Sequence, residues 1–442
     1  MPRVLAAGRR FVRGLSSDAR AGLFGLGWSY LTHGLQIVIR FASSLILTRL
    51  LMPEAYGIFG PALAVMFFLE FLSDIGLRPA VVRSPHGEDP AFLGTAWSVV
   101  MVRAGLLSVL ALTLAWLLPP FYDLPLLGWV LLALAGRPIV IALQNPTLYV
   151  LFRRLDYRTP FFLDILQSLF AVPLTILLAW QLGNVWALVL GLLFGDVARL
   201  LLSHILCPPA PRLSWHKPAV RELSHFGISI FLNTLFYGAW IYFDRLAGPK
   251  FLSPDLIGLY ITAWGLAEGL DNLIGRGSEV FYAMLSRKPE EERQAFFRRM
   301  ATRVALYLIP GVAVAALAAP WAFRLLYPIK FHGAAVLLGL LTARLIMRGT
   351  SHLQFMYLMM RGEVYLATRA YVVSLVILVA AFVPLVREFG VLGIALSSVL
   401  AMTTFALAQT VQMVRRGETS PWPAFLGLAW TGAAVAAVLA TN

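Results

Sequence analysis

Residues 49–59 read RLLMPEAYGIF and residues 250–260 read KFLSPDLIGLY. Both follow one pattern: a base, an apolar residue, Leu, any residue, Pro, an acid, any two residues, Gly, an aliphatic residue and an aromatic one. The copies lie 201 positions apart. Each joins two long apolar stretches, so each reads as the short link between a first and a second membrane helix. A chain that repeats one link half its length later is the product of duplicating one bundle. Two like bundles facing each other across a cleft are the plan of alternating-access transporters.

Composition points the same way. Hydrophobic residues make up 59% of the 442 and charged ones 13%, against about a quarter charged in soluble domains. The mean hydropathy is +0.78. Runs of about 20 apolar residues cross a hydrocarbon core about 30 Å thick. Such runs fall near 24–48, 57–78, 93–118, 126–150, 160–182, 185–206, 224–249, 256–284, 304–326, 333–358, 365–386 and 390–413, with a thirteenth at 422–440. The expectation is an all-α polytopic membrane protein of two six-helix lobes, related by a pseudo-two-fold along the membrane normal, plus an extra C-terminal span.

The net charge of +14 does not indicate nucleic acid, because the bases gather in alternate loops. Arg3, Arg9, Arg10, Arg13 and Arg20, then Arg78 and Arg83, then Arg153, Arg154 and Arg158 fall on one side. So do Arg212, Lys217 and Arg221, the stretch Arg287 to Arg303, Arg361, Arg369, Arg415 and Arg416. The opposite loops hold only Arg49, Lys250, Arg324, Lys330 and Arg387. The positive-inside rule then places the N-terminus and the basic loops in the cytoplasm, against anionic lipid. Cys207 is the single cysteine, which excludes an intrachain disulfide.

The domain plan follows. Residues 1–22 read as a basic amphipathic segment on the inner leaflet, 23–206 as the N-lobe and 207–223, with Pro208, Pro209, Pro211 and Pro218, as the interlobe linker. Residues 224–413 form the C-lobe and 414–442 the extra span. Lys288 to Arg303 reads as a solvated surface helix. The outward loops are too short for an extracytoplasmic catalytic domain, and a phosphate-cradling Gly-Lys-Ser/Thr loop is absent, so the chain reads as a transporter without its own ATPase.

A charge within a span costs about 2.5–3.5 kcal/mol on insertion scales, so such residues turn to protein or water. Ser29, His33, Gln36, Arg40 and Ser43 share one face of span one; Ser229, Asn233, Tyr237 and Trp240 share one of span seven, ending at Asp244 and Arg245. Span eight carries Glu268, Asn272, Arg276 and Glu279 on one face, with Asp271 beside it. Glu70 and Asp74, and Arg344 and Arg348, are each one turn apart. These spacings place a hydrated cavity between the lobes. Its candidate substrate-binding residues are Arg40, Arg103, Arg276, Arg344, Arg348, Gln36, Asn233, Tyr237 and Asn272. Its candidate gating or cation-coupling residues are Glu70, Asp74, Asp244, Arg245, Glu268 and Asp271. Blander readings stand beside these: Asp196 and Arg199 as an i,i+3 ion pair, Asp164 as solvated, Arg137 beside Pro138 as a cap for carbonyls freed at a kink, and Asp244 with Arg245 as a structural salt bridge. No metal-ligand spacing occurs. The preference for arginine suits an anion with phosphate oxygens, since guanidinium stays charged in a poor dielectric and presents a planar fork.

Residues Leu47 to Gly57, followed by Ser73-Asp74-Ile75-Gly76-Leu77 and Val82-Arg83, resemble the polysaccharide transporter (O-antigen flippase) family. Phe243-Asp244-Arg245-Leu246 through Gly258-Leu259-Tyr260 resembles its second-lobe signature, and Gly183 to Leu188 its link between spans five and six. The resemblance covers residues 24–413 and implies the multidrug/oligosaccharidyl-lipid/polysaccharide exporter superfamily. It implies a polyprenyl-pyrophosphate-linked glycan as substrate, turned from the inner to the outer leaflet of a bacterial inner membrane for cell-surface polysaccharide or lipopolysaccharide. It further implies no cofactor beyond a coupling Na+ or H+, and a glycan polymerase and chain-length proteins as partners. The alternative is a cation-coupled multidrug extruder; a membrane glycosyltransferase or O-antigen polymerase stands third.

Overall fold

The computed structural model describes residues 17–73, 81, 84–154 and 156–441. Asp74, Arg78, Arg83, most of the amphipathic segment expected over 1–22, and the side chains of Ser29, His33 and Ser229 lie outside the described residues.

The described regular structure is helical throughout. In the N-terminal half α1 is Ser17–Leu50, α2 Pro53–Leu72, α3 Pro90–Tyr122, α4 Pro125–Leu134, α5 Arg137–Ala142, α6 Thr147–Arg153, α7 Arg158–Leu182 and α8 Val185–Leu206. The C-terminal half holds α9 Lys217–Ala247, α10 Pro254–Ser286, α11 Glu290–Arg303, α12 Ile309–Leu326, α13 Ala334–Met360, α14 Val364–Phe389, α15 Val391–Arg415 and α16 Trp422–Ala440. Ten helices or helix runs among the described residues are long and apolar enough to cross a membrane, α16 included. The long helices outside that set are α1, α9 and α10, with 34, 31 and 33 residues. They carry the polar faces read from the sequence.

Local chemistry explains the boundaries. Pro53 and Pro254 start α2 and α10, and each forces the residue before it, Met52 (φ −83°, ψ 157°) and Ser253 (φ −64°, ψ 155°), into extended backbone. Asn184 accepts a hydrogen bond from the Trp186 amide at 3.1 Å and caps α8, directly after Gly183 turns the chain at φ +62°. Span four is interrupted around Gly136-Arg137-Pro138 and Asn145-Pro146, where proline cannot continue the ladder, giving α4, α5 and α6.

Two segments differ from the sequence reading. The charged stretch 290–303 runs through a π-helical turn, Val304–Leu308, into α12. Its Phe297 stacks on Tyr357 at 4.6 Å and is fully buried, because the apolar residues among its charges meet the ends of α10 and α13. The interlobe linker shortens to Cys207–His216, since Pro218 is accommodated in the first turn of α9.

Each half has its own core. Leu51, Met66, Leu127, Leu131, Leu134 and Val189 fill one; Tyr260, Phe323, Phe331, Leu341, Tyr371 and Phe405 fill the other. In the second, α13 is central and buried along nearly its whole length, with α16 packed on it.

The halves meet at the end of the bundle that carries the two repeated links. A Cβ at Gly57 would lie 1.7 Å from the Pro254 carbonyl oxygen, and one at Gly258 would lie 1.8 Å from that of Pro53. The same motif position in each half presses on the first helical residue of the other. Flanking contacts follow the same exchange. Lys250 Nζ donates to the Phe121 carbonyl at 2.6 Å, at the end of α3. Arg49 Nη2 donates to the Leu326 carbonyl at 3.4 Å, at the end of α12. Lys330 Nζ reaches the Arg49 carbonyl (3.1 Å), and Ser44 Oγ and Tyr327 Oη lie 2.6 Å apart. Toward mid-depth, Phe71 of α2 packs on Tyr237 and Tyr242 of α9, at 5.7 and 5.6 Å.

Candidate functional site

At the opposite, basic end the halves part around a cavity of about 720 Å³, within the size range of ligand pockets. The N-half supplies Trp97, Gln144, Asn145, Tyr157, Asp164 and Arg199; α10 supplies Arg276 and Glu279 from the other half. A neighbouring cavity of about 320 Å³, sharing Val100, Ile141 and Ala142 in its wall, carries Glu70 and Arg103.

Arg103 lies on α3 and donates Nε to Ser73 Oγ at 2.9 Å and Nη2 to the Glu70 carbonyl at 2.8 Å. Both acceptors are neutral, so these bonds orient the fork without neutralising it. Arg199 pairs with Asp164 and with Gln167 Oε1 at 3.1 Å, and it reaches Gln144 Oε1 at 3.3 Å. Arg276 pairs with Glu279 at 2.8 Å on the α10 wall. Trp97 is held by its indole N–H on the Ala142 carbonyl at 2.8 Å. The wall therefore presents planar polar groups, an aromatic face and guanidinium charge to whatever enters.

Behind the cavity each half has a buried charge cluster. In the N-half Arg137 bridges two carboxylates, Glu70 at 2.9 Å and Asp196 at 2.8 Å, tying together the second, fourth and sixth spans. In the C-half Asp271 takes two guanidinium groups, Arg348 at 2.9 Å and Arg344 at 3.8 Å. The 201-residue offset of the links carries Glu70 onto Asp271, a correspondence that the sequence holds but that periodicity on single helices does not expose. Trp264 takes two cations on its ring, Arg344 at 4.3 Å and Arg245 at 4.2 Å. Asp244 is buried, accepts from Tyr260 Oη and from Ser398 Oγ (3.1 Å), and lies 3.4 Å from Arg245.

The residues singled out from the sequence thus separate into groups. Arg103, Arg276 and Glu70 line the two cavities. Arg344, Arg348 and Asp271 come together inside the C-half, and Asp244 with Arg245 forms a neighbouring group. Asn233 accepts from Thr368 Oγ1 at 3.0 Å, and Tyr237 packs on Phe71, Trp240 and Tyr371. Arg40, Glu268 and Asn272 are exposed and Gln36 is half-buried, on α1 and α10; none lines the two cavities, although Gln36 lies one turn from the lining residue Thr32 and Asn272 one turn from Arg276. Asp196 and Arg199 do not pair with each other; each reaches across to another helix, Arg137 and Asp164 respectively, so Asp164 is not merely solvated. The roles of Trp97, Gln144, Asn145 and Tyr157 as wall residues have no signature in the sequence.

Comparison with known proteins agrees with this architecture. The family model described as "Polysaccharide biosynthesis protein" matches residues 46–336. The succinoglycan biosynthesis transport protein ExoT of Rhizobium meliloti (strain 1021) is 27% identical over 217 residues, 48% of this chain and 43% of that protein. The match therefore spans less than half of that relative's length. The solved structure of the lipid II flippase MurJ, in an inward closed conformation, superimposes with a TM-score of 0.72 at 10% identity, covering 92% of this chain and 90% of that one. An inward-facing multidrug resistance MATE family transporter gives a TM-score of 0.64 at 14% identity, covering 92% and 96%. The chain is a multi-pass membrane protein with the fold of these two-lobe transporters, and it belongs to the polysaccharide biosynthesis protein family.

Proposed function

We propose that the chain is a flippase that turns a polyprenyl-pyrophosphate-linked oligosaccharide from the inner to the outer leaflet of a bacterial cytoplasmic membrane by alternating access. In this reading the basic end and the N-terminus face the cytoplasm. The observation that carries it is the cavity walled by both halves, bearing Arg199 and Arg276 toward the basic end, with Arg103 in the adjoining N-half cavity and the link end shut. Arg103 takes the pyrophosphate: its own hydrogen bonds go to neutral acceptors, and the Glu70 carboxylate on the same wall is paired with Arg137. The sugars lie against the polar wall and Trp97, and the prenyl tail stays in lipid. A membrane potential negative inside is worth about 2.3 kcal/mol per charge per 100 mV and pushes an anionic head group outward, so a coupling ion is not required. Asp244, Glu268 and Asp271 serve the gate or charge balance, and a glycan polymerase and chain-length proteins receive the product.

The test is transbilayer movement of a labelled polyprenyl-linked sugar in proteoliposomes. The protein should raise the rate well above that of protein-free vesicles, and Arg103→Ala should return it to background while the variant still inserts. Movement of cationic dyes with no movement of the glycolipid would favour the multidrug extruder and defeat the flippase reading.

A further inference from the structure

The repeated link has a role that its position between helices does not require. We infer that Gly57 and Gly258, with Arg49 and Lys250, are positioning residues for transport: together they form a two-fold latch that holds the link-end face shut while the basic end is open. The inference concerns which face is closed and holds whatever the cargo.

The glycines carry it first. A side chain's first carbon at either position would enter a backbone carbonyl of the opposite half, at 1.7 and 1.8 Å. Backbone at a helix start cannot swing aside as a side chain would, so a methyl there must drive the halves apart by more than an ångström. Within one helix neither glycine is needed: the backbone is helical at both sites, where alanine is the better residue by about 1 kcal/mol. Their cost to α2 and α10 is offset only by the approach across the halves.

The bases carry it second. Arg49 and Lys250 occupy the first position of the two motif copies, and each donates to the last-turn carbonyls of the opposite half, Leu326 of α12 and Phe121 of α3. A cation at a helix C-terminus meets both unsatisfied carbonyls and the negative end of the helix dipole. Arg49 is exposed, as is Lys250, so these are rim contacts that open without burying charge. Two motif positions, each present in both copies, make the same two kinds of contact in exchanged order, which is what a latch between duplicated halves requires.

Spin labels on exposed residues outside the latch read it directly: Met52 with Ile329 across the link end, and Arg154 with Glu291 across the basic end, in a Cys207→Ser background. The unmodified latch should give a single short distance at the link end. Gly57→Ala and Gly258→Ala should each lengthen the Met52–Ile329 distance and shorten the Arg154–Glu291 distance. The double variant should shift by less than the sum of the two single ones, because the two contacts adjoin, with Gly57 N 3.1 Å from the Gly258 Cβ position, and parting the halves at one relieves the other. Arg49→Ala and Lys250→Ala should move the populations the same way by less, and Arg49→Lys should restore them. Changes at the link end alone would mean local distortion and overturn the latch; so would wild-type distances in both glycine variants. If the glycine variants fail to insert, Arg49→Ala and Lys250→Ala decide, and unchanged distances in both overturn it.

Discussion

The two halves answer one design problem with opposite signs. Both bury an acid on the second helix of the lobe, Glu70 or Asp271, against arginine on the fourth. In the N-half one guanidinium serves two carboxylates; in the C-half one carboxylate serves two guanidiniums. The N-half cluster opens beside a cavity, whereas the C-half cluster lies behind the rings of Trp264, Tyr237 and Tyr371. Duplication supplied the scaffold twice, and divergence assigned the open wall to one copy and the packed one to the other.

Removing Arg137 tests this contrast most severely. Arg137→Ala strands the buried Asp196 carboxylate and leaves half-buried Glu70 without its partner, which should cost about 3–5 kcal/mol and abolish a cooperative thermal transition in detergent. Arg137→Leu combined with Glu70→Gln and Asp196→Asn should recover most of the loss; if it does not, the cluster is not held by charge balance. In the C-half Arg344→Ala leaves Asp271 with Arg348 at 2.9 Å and forfeits mainly the stacking on Trp264, about 2 kcal/mol. Equal losses from Arg137→Ala and Arg344→Ala would erase the distinction between the halves.

The smallest effect lies at the basic end. There the C-half ties its loops with Arg361, Glu363, Arg416 and Glu418, while the N-half has the exposed pair of Arg154 with Glu88 at 2.7 Å. The hydrogen bond from Arg154 holds the Glu88 carboxyl below its usual range. A carboxyl depressed in the folded state contributes stability above its unfolded value, and that contribution is lost as pH falls through the folded one. Glu88→Gln should therefore leave the melting temperature near neutral pH almost unchanged and slightly flatten its fall in acid.

Span positions were legible in the sequence because hydrophobic length is a local property, and so was the repetition of the link, though not that the two copies meet. On α10, periodicity marked the face that brings Arg276 and Glu279 to the cavity wall. Partners were not legible. Asp196 and Arg199 share a helix three residues apart, yet each turns to a different neighbour, and only packing decides which neighbour is within reach. Arg344 and Arg348 announced a polar face, but not that Asp271 would claim it. The broken span four was half visible: Pro138 signalled the interruption, not that the arginine beside it would join three spans.

The connector between the halves is laced onto the first turns of α3. Ser214 Oγ donates to the Ala91 carbonyl at 2.9 Å, the His216 amide donates to Thr95 Oγ1 at 3.2 Å, and the Arg212 carbonyl closes over Gly94. Helix α9 then starts at once, at Lys217. A strap stitched down on one side has no slack to lend. The attachment continues past the helix start, since Ala219 and Leu223 of α9 are buried with Phe92, Leu93 and Ala96 of α3, so the first turns of the C-half's leading helix must travel with the N-half.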